Sequence, residues 1–347
     1  MKYRFIALIT ALCLISSFSG CKFGSTEQVS SLELSTSASN TSEVENSSSA
    51  SSLSASSNLS TDSGLPEANF SKLLSQISDH DRTVEGYGKL KTDSTYSNAL
   101  KDLESVLDNY TYDISVVAYS IDGTKAISYN TQKEMFCACT VKAADTLYCG
   151  KEMEHGNGSL KAEMVYKEEH YEGGTGDMQY SSFGTVFSMD TILRKSMGIS
   201  DNVGYRMSID YFGREGYNEW ITDQGCSSLT IKPTVWSLKT KSLDLAKVWG
   251  MIYNYFKTDS EYARFLYETC TNTANNYGTA ALKNVDISHK QGHSSTSDWP
   301  AYSDAGIVWK ENGPYVYVIL TNSPGPSSYN TETMANIISI IDGQLFN

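Results

Sequence analysis

Segments typical of β-strands lie on both sides of a long helical stretch in this 347-residue chain. Residues 113–120 and 126–129 are rich in β-branched side chains and flank Asp122-Gly123, a dipeptide typical of hairpin turns. Three more strand-like segments follow near the other end of the chain, at residues 287–290, 305–309 and 315–320. The pattern predicts an α+β fold in which both chain ends supply one five-stranded antiparallel sheet, flanked by helices and carrying an all-helical insertion.

Helical spacing of apolar residues marks the segments that flank and interrupt the predicted sheet. One further helix is expected to begin near Cys139 and to continue through Cys149. The others are predicted over residues 67–77, 96–107, 186–197, 203–211, 217–223, 243–256 and 333–341.

The first 64 residues differ in composition from the rest of the chain. A short basic start is followed by an apolar run, residues 5–15, which is too short to span a bilayer. The sequence Phe18-Ser19-Gly20-Cys21 resembles the end of a bacterial lipoprotein signal, which implies a lipidated Cys21 as the mature N-terminus. An ordinary secretory signal with an incidental cysteine is the alternative. We expect a signal peptide over residues 1–20, a Ser- and Thr-rich disordered tether over residues 21–64 and a folded domain over residues 65–347.

Charge and cysteine content exclude several functional classes. The net charge of −13 argues against a nucleic-acid partner. Five cysteines fall within the domain, an odd number that leaves at least one thiol unpaired, and the pairing of Cys137, Cys149, Cys226 and Cys270 stays open. The five histidines show neither H-x-H nor H-E-x-x-H spacing, so we expect neither a catalytic metal nor another cofactor.

Three short polar clusters follow one another along the domain: Cys139-Thr140-Val141-Lys142, Ser200-Asp201-Asn202 and Lys290-Gln291-Gly292. They resemble the S-x-x-K, S-D-N and K-T-G motifs of the class A β-lactamases and penicillin-recognising serine hydrolases, with a cysteine in place of the nucleophilic serine. The resemblance extends over roughly residues 95–347. It implies the β-lactamase-like fold for this domain.

The chemistry of this family requires a nucleophile at a helix N-terminus with a lysine one turn later. Cys139 and Lys142 have this spacing. A helix N-terminus and a nearby ammonium both lower the pKa of a thiol, which favours a reactive Cys139. A buried, inert cysteine is the alternative, since free cysteine is among the most buried residue types.

The resemblance also implies roles for the remaining motif residues. Ser200 would pass a proton between Lys142 and the leaving nitrogen. The backbone amides of Cys139 and His293 would form the oxyanion hole. Asp201 is expected to be structural, and the side chain of His293 has no expected role. The residues expected to bind substrate are Asn202, Lys290, Gln291 and Gly292.

One family element is missing from the sequence. Class A β-lactamases carry a glutamate after the S-D-N helix that activates the deacylating water, yet no glutamate occurs between Glu219 and Glu261. We therefore expect acyl transfer from a β-lactam or a peptidoglycan-like amide to Cys139 with poor deacylation. A catalytically silent relative that binds cell-wall fragments or a protein partner is the main alternative, and a D-alanyl peptidase is a further one. The expected location is outside the cytoplasm, as a monomer anchored to the bacterial cell membrane through lipid at Cys21.

Overall fold

A computed structural model describes residues 70–78, 82–233, 238–274, 281–282 and 285–347. The predicted signal peptide, Cys21 and the tether lie outside the described residues. The helices are α1 (Phe70–Leu74), α2 (Lys89–Thr92), α3 (Ser97–Asp108), α4 (Lys142–Glu154), α5 (Met189–Gly198), α6 (Asn202–Phe212), α7 (Arg214–Asp223), α8 (Ser242–Phe256), α9 (Glu261–Thr271) and α10 (Ser328–Ile340). The strands are β1 (Glu85–Gly88), β2 (Ile114–Ser120), β3 (Lys125–Tyr129), β4 (Met135–Phe136), β5 (Glu163–Val165), β6 (Val186–Ser188), β7 (Lys239–Thr240), β8 (Asp286–Ser294), β9 (Ala301–Trp309) and β10 (Tyr315–Thr321).

The main sheet is antiparallel and has the strand order β1-β3-β2-β10-β9-β8. Its centre joins the two chain ends, because β2 pairs along its whole length with β10. The predicted α+β class and the sheet built from both ends are confirmed. The sheet has six strands rather than the expected five, because Glu85–Gly88 pairs with Lys125–Ser128 as an additional edge strand.

Side chains of the central strand alternate between two apolar cores, as the two-residue period of a strand requires. Val117 and Tyr119 of β2 pack on the same side as Trp249 of α8. Val116 and Ala118 belong to the core that also contains residues of α3 and α10. Helices therefore cover both faces of the sheet, and β8 forms the edge at which the helical insertion meets it.

The helical insertion has a core of its own beside the sheet. Met189, Ile192 and Leu193 of α5 pack with Val203 and other residues of α6. Residues 186–188, which the sequence pattern places in a helix, instead form β6 and pair with β5. Ser188 caps α5 by accepting a hydrogen bond from the amide of Thr191.

Among the helices that the structure describes, none has the length and apolar character needed to cross a membrane.

Candidate active site

The first polar cluster forms a tight turn at the N-terminus of α4. Cys139 lies on a short 3₁₀ turn, Ala138–Val141, and Lys142 is the first residue of α4. Cys139 thus precedes the α-helix instead of opening it, since Ala138 adopts a left-handed backbone conformation with φ 45° and the chain winds first into the tighter helix. The Cys139 side chain is partly exposed, while Cys137 before it is fully buried.

Lys142 is buried and holds the second cluster through its ammonium group. Its Nζ donates to the carbonyls of Ser200 (2.5 Å) and Asp201 (3.2 Å) and to Oδ1 of Asn202 (2.8 Å). The side chain is only 2% exposed. An ammonium has three protons, and three oxygens accept them here, so each proton of the Lys142 side chain has an acceptor.

The second cluster is held in place by its own backbone and by the N-cap of α6. Ser200 adopts a left-handed conformation with φ 58°, which turns its carbonyl toward Lys142. Asp201 caps α6 by accepting from the amide of Gly204 (2.9 Å), and its other oxygen accepts from the amide of Met178 (2.8 Å). Asp201 therefore has a structural position, as the sequence predicts.

The third cluster lies on β8 and brings a second lysine to Ser200. Nζ of Lys290 donates to Oγ of Ser200 and to the carbonyl of Gln291 (3.0 Å). The resemblance implies that Lys142 exchanges a proton with the Ser200 hydroxyl, but Lys290 is the lysine that contacts this hydroxyl, whereas Lys142 contacts the Ser200 carbonyl. Burial and the nearby Lys142 charge lower the pKa of Lys290 to about 8, although Cys139 opposes this shift.

Gly292 allows the third cluster to lie against the first. A Cβ atom on Gly292 would lie 2.6 Å from the amide nitrogen of Cys139 and 2.8 Å from the carbonyl oxygen of Cys137. Any larger residue would therefore separate β8 from the nucleophile turn. This close approach also brings His293, the next residue of β8, to the cavity that Cys139 lines.

Cys139 differs from the other described cysteines in its electrostatic environment. Burial opposes ionisation of its thiol, but the ammonium groups of Lys142 and Lys290 outweigh burial, and the pKa of Cys139 lies below its ordinary value. Burial instead raises the pKa of Cys137 and that of Cys226 to about 12. All five described cysteines are free thiols.

A cavity of about 610 Å³ opens above Cys139. Lys142 and Asn202 line one side of it, and His293 lines another. Phe136 and Trp299 form an aromatic wall with ring centroids 5.7 Å apart, and Trp299 is 42% exposed. The volume lies within the range of pockets that bind small molecules.

Three groups at this cavity were not predicted from the sequence. Thr175 donates to the Ser200 carbonyl (2.6 Å). Glu172 forms an ion pair with Arg206 (2.9 Å) at the cavity rim. Trp299 reaches the cavity from the segment between β8 and β9. Each comes from a segment outside the three motifs, so its place at the cavity is seen only in the folded arrangement.

Three potential metal ligands also meet beside α6. The ligand atoms of Glu169, His170 and Asp210 lie within 4.8 Å of one another. Nδ1 of His170 accepts a hydrogen bond from the amide of Lys167 (3.1 Å), so a neutral imidazole carries its proton on Nε2, which lies 3.2 Å from Oδ2 of Asp210. This tautomer has no lone pair available for a cation, and the geometry instead describes a hydrogen-bonded contact between His170 and α6.

Comparison with known proteins identifies the family. A family model described as the β-lactamase enzyme family matches residues 97–343, a range that contains all three clusters. The chain belongs to this family. A comparison with curated proteins finds no match.

Several solved structures share the fold of this chain. PBP-A matches with a TM-score of 0.65 and 18% identity over 71% of this chain and 94% of its own. TLA-1 extended-spectrum β-lactamase matches with a TM-score of 0.64 and 19% identity over 72% of this chain and 99% of its own. A class A β-lactamase from Bacteroides cellulosilyticus DSM 14838 matches with a TM-score of 0.62 and 19% identity over 72% of this chain and 98% of its own. The chain therefore carries a domain of the β-lactamase enzyme family with the fold that these structures share.

Proposed function

We propose that this domain transfers an acyl group from a β-lactam or a peptidoglycan-like amide to the thiol of Cys139. The observation that carries the proposal is the pair of lysines, Lys142 and Lys290, whose charges lower the pKa of a partly exposed thiol in a cavity of about 610 Å³. A thiolate is the nucleophilic form of cysteine, and it needs no base to remove its proton.

The proposed acylation proceeds through a tetrahedral intermediate. The Cys139 thiolate attacks the amide carbonyl carbon, and the amides of Cys139 and His293 bind the oxyanion. The C–N bond then breaks, and the leaving nitrogen takes a proton from the Ser200 hydroxyl. Lys290, which donates to that hydroxyl, replaces the proton. Lys142 keeps its three hydrogen bonds and stabilises the thiolate by its charge.

Substrate recognition is assigned to residues at the edge of the cavity. Asn202 and the strand β8, with Lys290, Gln291 and Gly292, orient the amide and an anionic group of the substrate. Gln291 stands where the family carries a hydroxyl residue, so its longer side chain changes the contact with such an anion. The acyl-enzyme complex of a PBP-A mutant with penicillin G supports this assignment, because a protein of similar fold is acylated by that β-lactam.

Deacylation is proposed to be slower than acylation. No glutamate lies between Glu219 and Glu261, and Glu172, the only carboxylate that lines the cavity among the described residues, is paired with Arg206. The usual water-activating carboxylate is therefore missing from this site. Loss of a general base typically slows a step by about 10²–10⁴-fold.

Mass spectrometry of the protein after incubation with penicillin G tests this function. We expect an adduct of one drug molecule on Cys139 that persists after the free drug is removed. Cys139→Ala should form no adduct, and Cys139→Ser should form an ester at the same position. Absence of an adduct on the wild-type protein, at drug concentrations that saturate the cavity, would contradict the proposal.

A second candidate function is a catalytically silent binding module. Gln291 in place of the family's hydroxyl residue favours this alternative, as does the missing glutamate. The mass spectrometry separates the two functions, because a binding module would leave Cys139 unmodified by penicillin G. Such a module would still bind cell-wall fragments, which calorimetry would detect.

We further propose that the protein is a monomeric lipoprotein on the outer side of a bacterial cell membrane, attached through Cys21. Support comes from the resemblance of Phe18-Ser19-Gly20-Cys21 to a lipoprotein signal. Incorporation of a labelled fatty acid into the wild-type protein, and its loss in Cys21→Ser, is the expected result.

A further inference from the structure

The aromatic wall formed by Phe136 and Trp299 lines the same cavity as Cys139. Phe136 ends β4, shortly before Cys139 in the sequence, and Trp299 belongs to the segment between β8 and β9. Met135 of β4 lies in a buried core, so the next residue of this strand, Phe136, points the opposite way. Its ring meets the Trp299 ring at 61°, an edge-on arrangement that is favourable between aromatic side chains.

Contacts within the protein hold the aromatic wall in place. Strand β4 pairs with β7, where Phe136 lies opposite Lys239. Side chains that lie directly opposite each other on antiparallel strands point to the same side, and Nζ of Lys239 lies 5.7 Å from the centre of the Trp299 ring. An ammonium at this distance attracts the ring by a cation–π interaction. The amide of Trp299 also donates to the carbonyl of Thr296 (3.2 Å). The wall is therefore formed by the protein's own contacts before any ligand binds.

Trp299 differs from the other described tryptophans in its exposure. Trp249 lies in an apolar core, and Trp220 and Trp309 pack against that core. Trp299 belongs to none of the three cores that the described residues form, and it is 42% exposed. Burial of apolar surface is favourable, and the large side chain of tryptophan provides much of it. The exposed surface of Trp299 is therefore available to a ligand in the cavity.

The lysine, arginine and glutamate side chains that line the cavity, among the described residues, are engaged with other groups of the protein. Lys142 donates to three oxygens of the second cluster, and Glu172 forms its ion pair with Arg206. A charged group of a ligand would have to compete with these partners. An aromatic ring placed against Phe136 and Trp299 would displace only water. The aromatic wall therefore favours a flat apolar group.

We propose that Phe136 and Trp299 form a subsite for an aromatic ring that the substrate carries across one amide bond from the carbonyl group that Cys139 attacks. The two rings of the wall are inclined to each other, so a third ring can meet one of them edge-on and the other in an offset stack. This inference rests on the proposed function and names its substrate class, namely β-lactams or amides with an arylacetyl side chain. Penicillin G, which carries a phenylacetyl group, belongs to this class.

Alkylation of Cys139 tests the subsite without any acyl transfer. Iodoacetamide and N-benzyl-iodoacetamide react with a thiol through the same carbon, and only the second carries a ring across an amide bond. Mass spectrometry gives the rate of each reagent at Cys139, and the ratio of the two rates cancels changes in the reactivity of the thiol. The same ratio for free cysteine gives the intrinsic difference between the reagents. The proteins compared are the wild type, Trp299→Ala, Trp299→Phe and the control Tyr180→Ala, which removes an aromatic ring that is 83% exposed and lies outside the cavity.

We expect the wild type to favour the benzyl reagent about tenfold relative to free cysteine, which is the effect of one good aromatic contact. Trp299→Ala should lose this preference, whereas Trp299→Phe should retain most of it and Tyr180→Ala all of it. A wild-type ratio equal to that of free cysteine would overturn the inference, and so would an unchanged ratio in Trp299→Ala. Loss of the preference in Tyr180→Ala would also overturn it, because the effect would then not depend on the aromatic wall.

A matched pair of penicillins separates this inference from the proposed function. Penicillin G and its analogue with an acetyl side chain differ only in the aromatic ring, and we expect penicillin G to acylate wild-type Cys139 about tenfold faster. If both form adducts at equal rates, the proposed function stands and the inference fails. If neither forms an adduct while the alkylation preference depends on Trp299, the proposed function fails and the aromatic subsite stands.

Discussion

Nζ of Lys142 lies 2.8 Å from Oδ1 of Asn202, so that the first residue of α4 is bound to the first residue of α6. Nδ2 of Asn202 donates to the carbonyl of Gly173 (2.9 Å), which fixes the amide in one orientation. The bond joins the nucleophile turn to the segment expected to bind substrate. Changes at Lys142 should therefore affect both the reactivity of Cys139 and the position of Asn202.

Replacing Lys142 with methionine should make Cys139 less reactive. The substitution removes a positive charge that favours the thiolate, and each unit by which the pKa rises lowers the thiolate fraction at neutral pH about tenfold. We expect alkylation of Cys139 by iodoacetamide at pH 7 to slow by about tenfold or more, as measured by mass spectrometry. Lys151→Met, in the last turn of the same helix, serves as the matched control. Equal rates in Lys142→Met and the wild type would show that Lys142 does not activate the thiol.

Cys139 should be the most reactive thiol of the folded domain. The side chains of Cys137, Cys149, Cys226 and Cys270 are buried, and burial raises the pKa of each. The pKa of Cys139 is lowered instead, so its alkylation rate should begin to fall only at a lower pH than that of an ordinary thiol. Peptide mapping after brief alkylation at several pH values measures this order. Faster labelling of any other cysteine in the native protein would contradict it.

The sequence predicts much of the central sheet because its signals are local. The hairpin turns at Asp122-Gly123 and Asn312-Gly313 separate β-branched runs, and those runs become β2, β3, β9 and β10. Strand β1 was not predicted from the sequence, because Glu85–Gly88 contains two glycines and only one large apolar residue, Tyr87. Its conformation comes from backbone pairing with β3, which is a tertiary contact. Helix α9 was not predicted either, although Ser260 caps it and Phe265 and Leu266 are buried.

Some features of the candidate site can likewise be predicted from the sequence, whereas others depend on tertiary packing. The resemblance of the three motifs to those of the family implies that Cys139, Lys142, Ser200 and Lys290 lie in one region. It does not determine which lysine contacts the Ser200 hydroxyl, because that depends on how β8 and α4 pack against the turn at Ser200. The positions of Thr175 and Trp299 likewise depend on packing alone.

Replacing Gly292 with alanine should disturb the nucleophile turn. The added Cβ would lie 2.6 Å from the Cys139 amide nitrogen, and backbone atoms cannot move away as a flexible side chain can. We expect destabilisation of about 1–3 kcal/mol, measured by urea unfolding, together with slower alkylation of Cys139. Gly343→Ala is the matched control, since a Cβ there meets no atom within 4 Å. Wild-type stability and reactivity in Gly292→Ala would show that β8 shifts without cost.

Asp145 should make the stability of the domain depend on pH in the direction opposite to that of an ordinary salt-bridged carboxylate. Its side chain on α4 is 1% exposed, and Oδ2 accepts a hydrogen bond from Oγ of Ser208 on α6 (2.6 Å). Burial raises the pKa of Asp145 to about 7 from its ordinary value of 3.8, although Ser208 and Lys142 oppose the shift. The folded state therefore holds a proton that the unfolded state has already lost in this pH window.

The stabilising contribution of the protonated carboxyl is fully present below about pH 4 and is lost as the pH rises through about 7. Asp145→Asn keeps an oxygen acceptor for Ser208 and cannot ionise, so it should lack this loss. We expect the free energy of unfolding of the wild type to fall relative to that of Asp145→Asn between pH 5 and pH 8, at about 1.4 kcal/mol per pKa unit at most. Urea unfolding at both pH values measures the difference, with the exposed Asp102→Asn as control. Parallel pH profiles for the wild type and Asp145→Asn would show that Asp145 is ionised throughout this range, and its carboxylate would then have to be stabilised by Ser208 and Lys142 more strongly than burial opposes it.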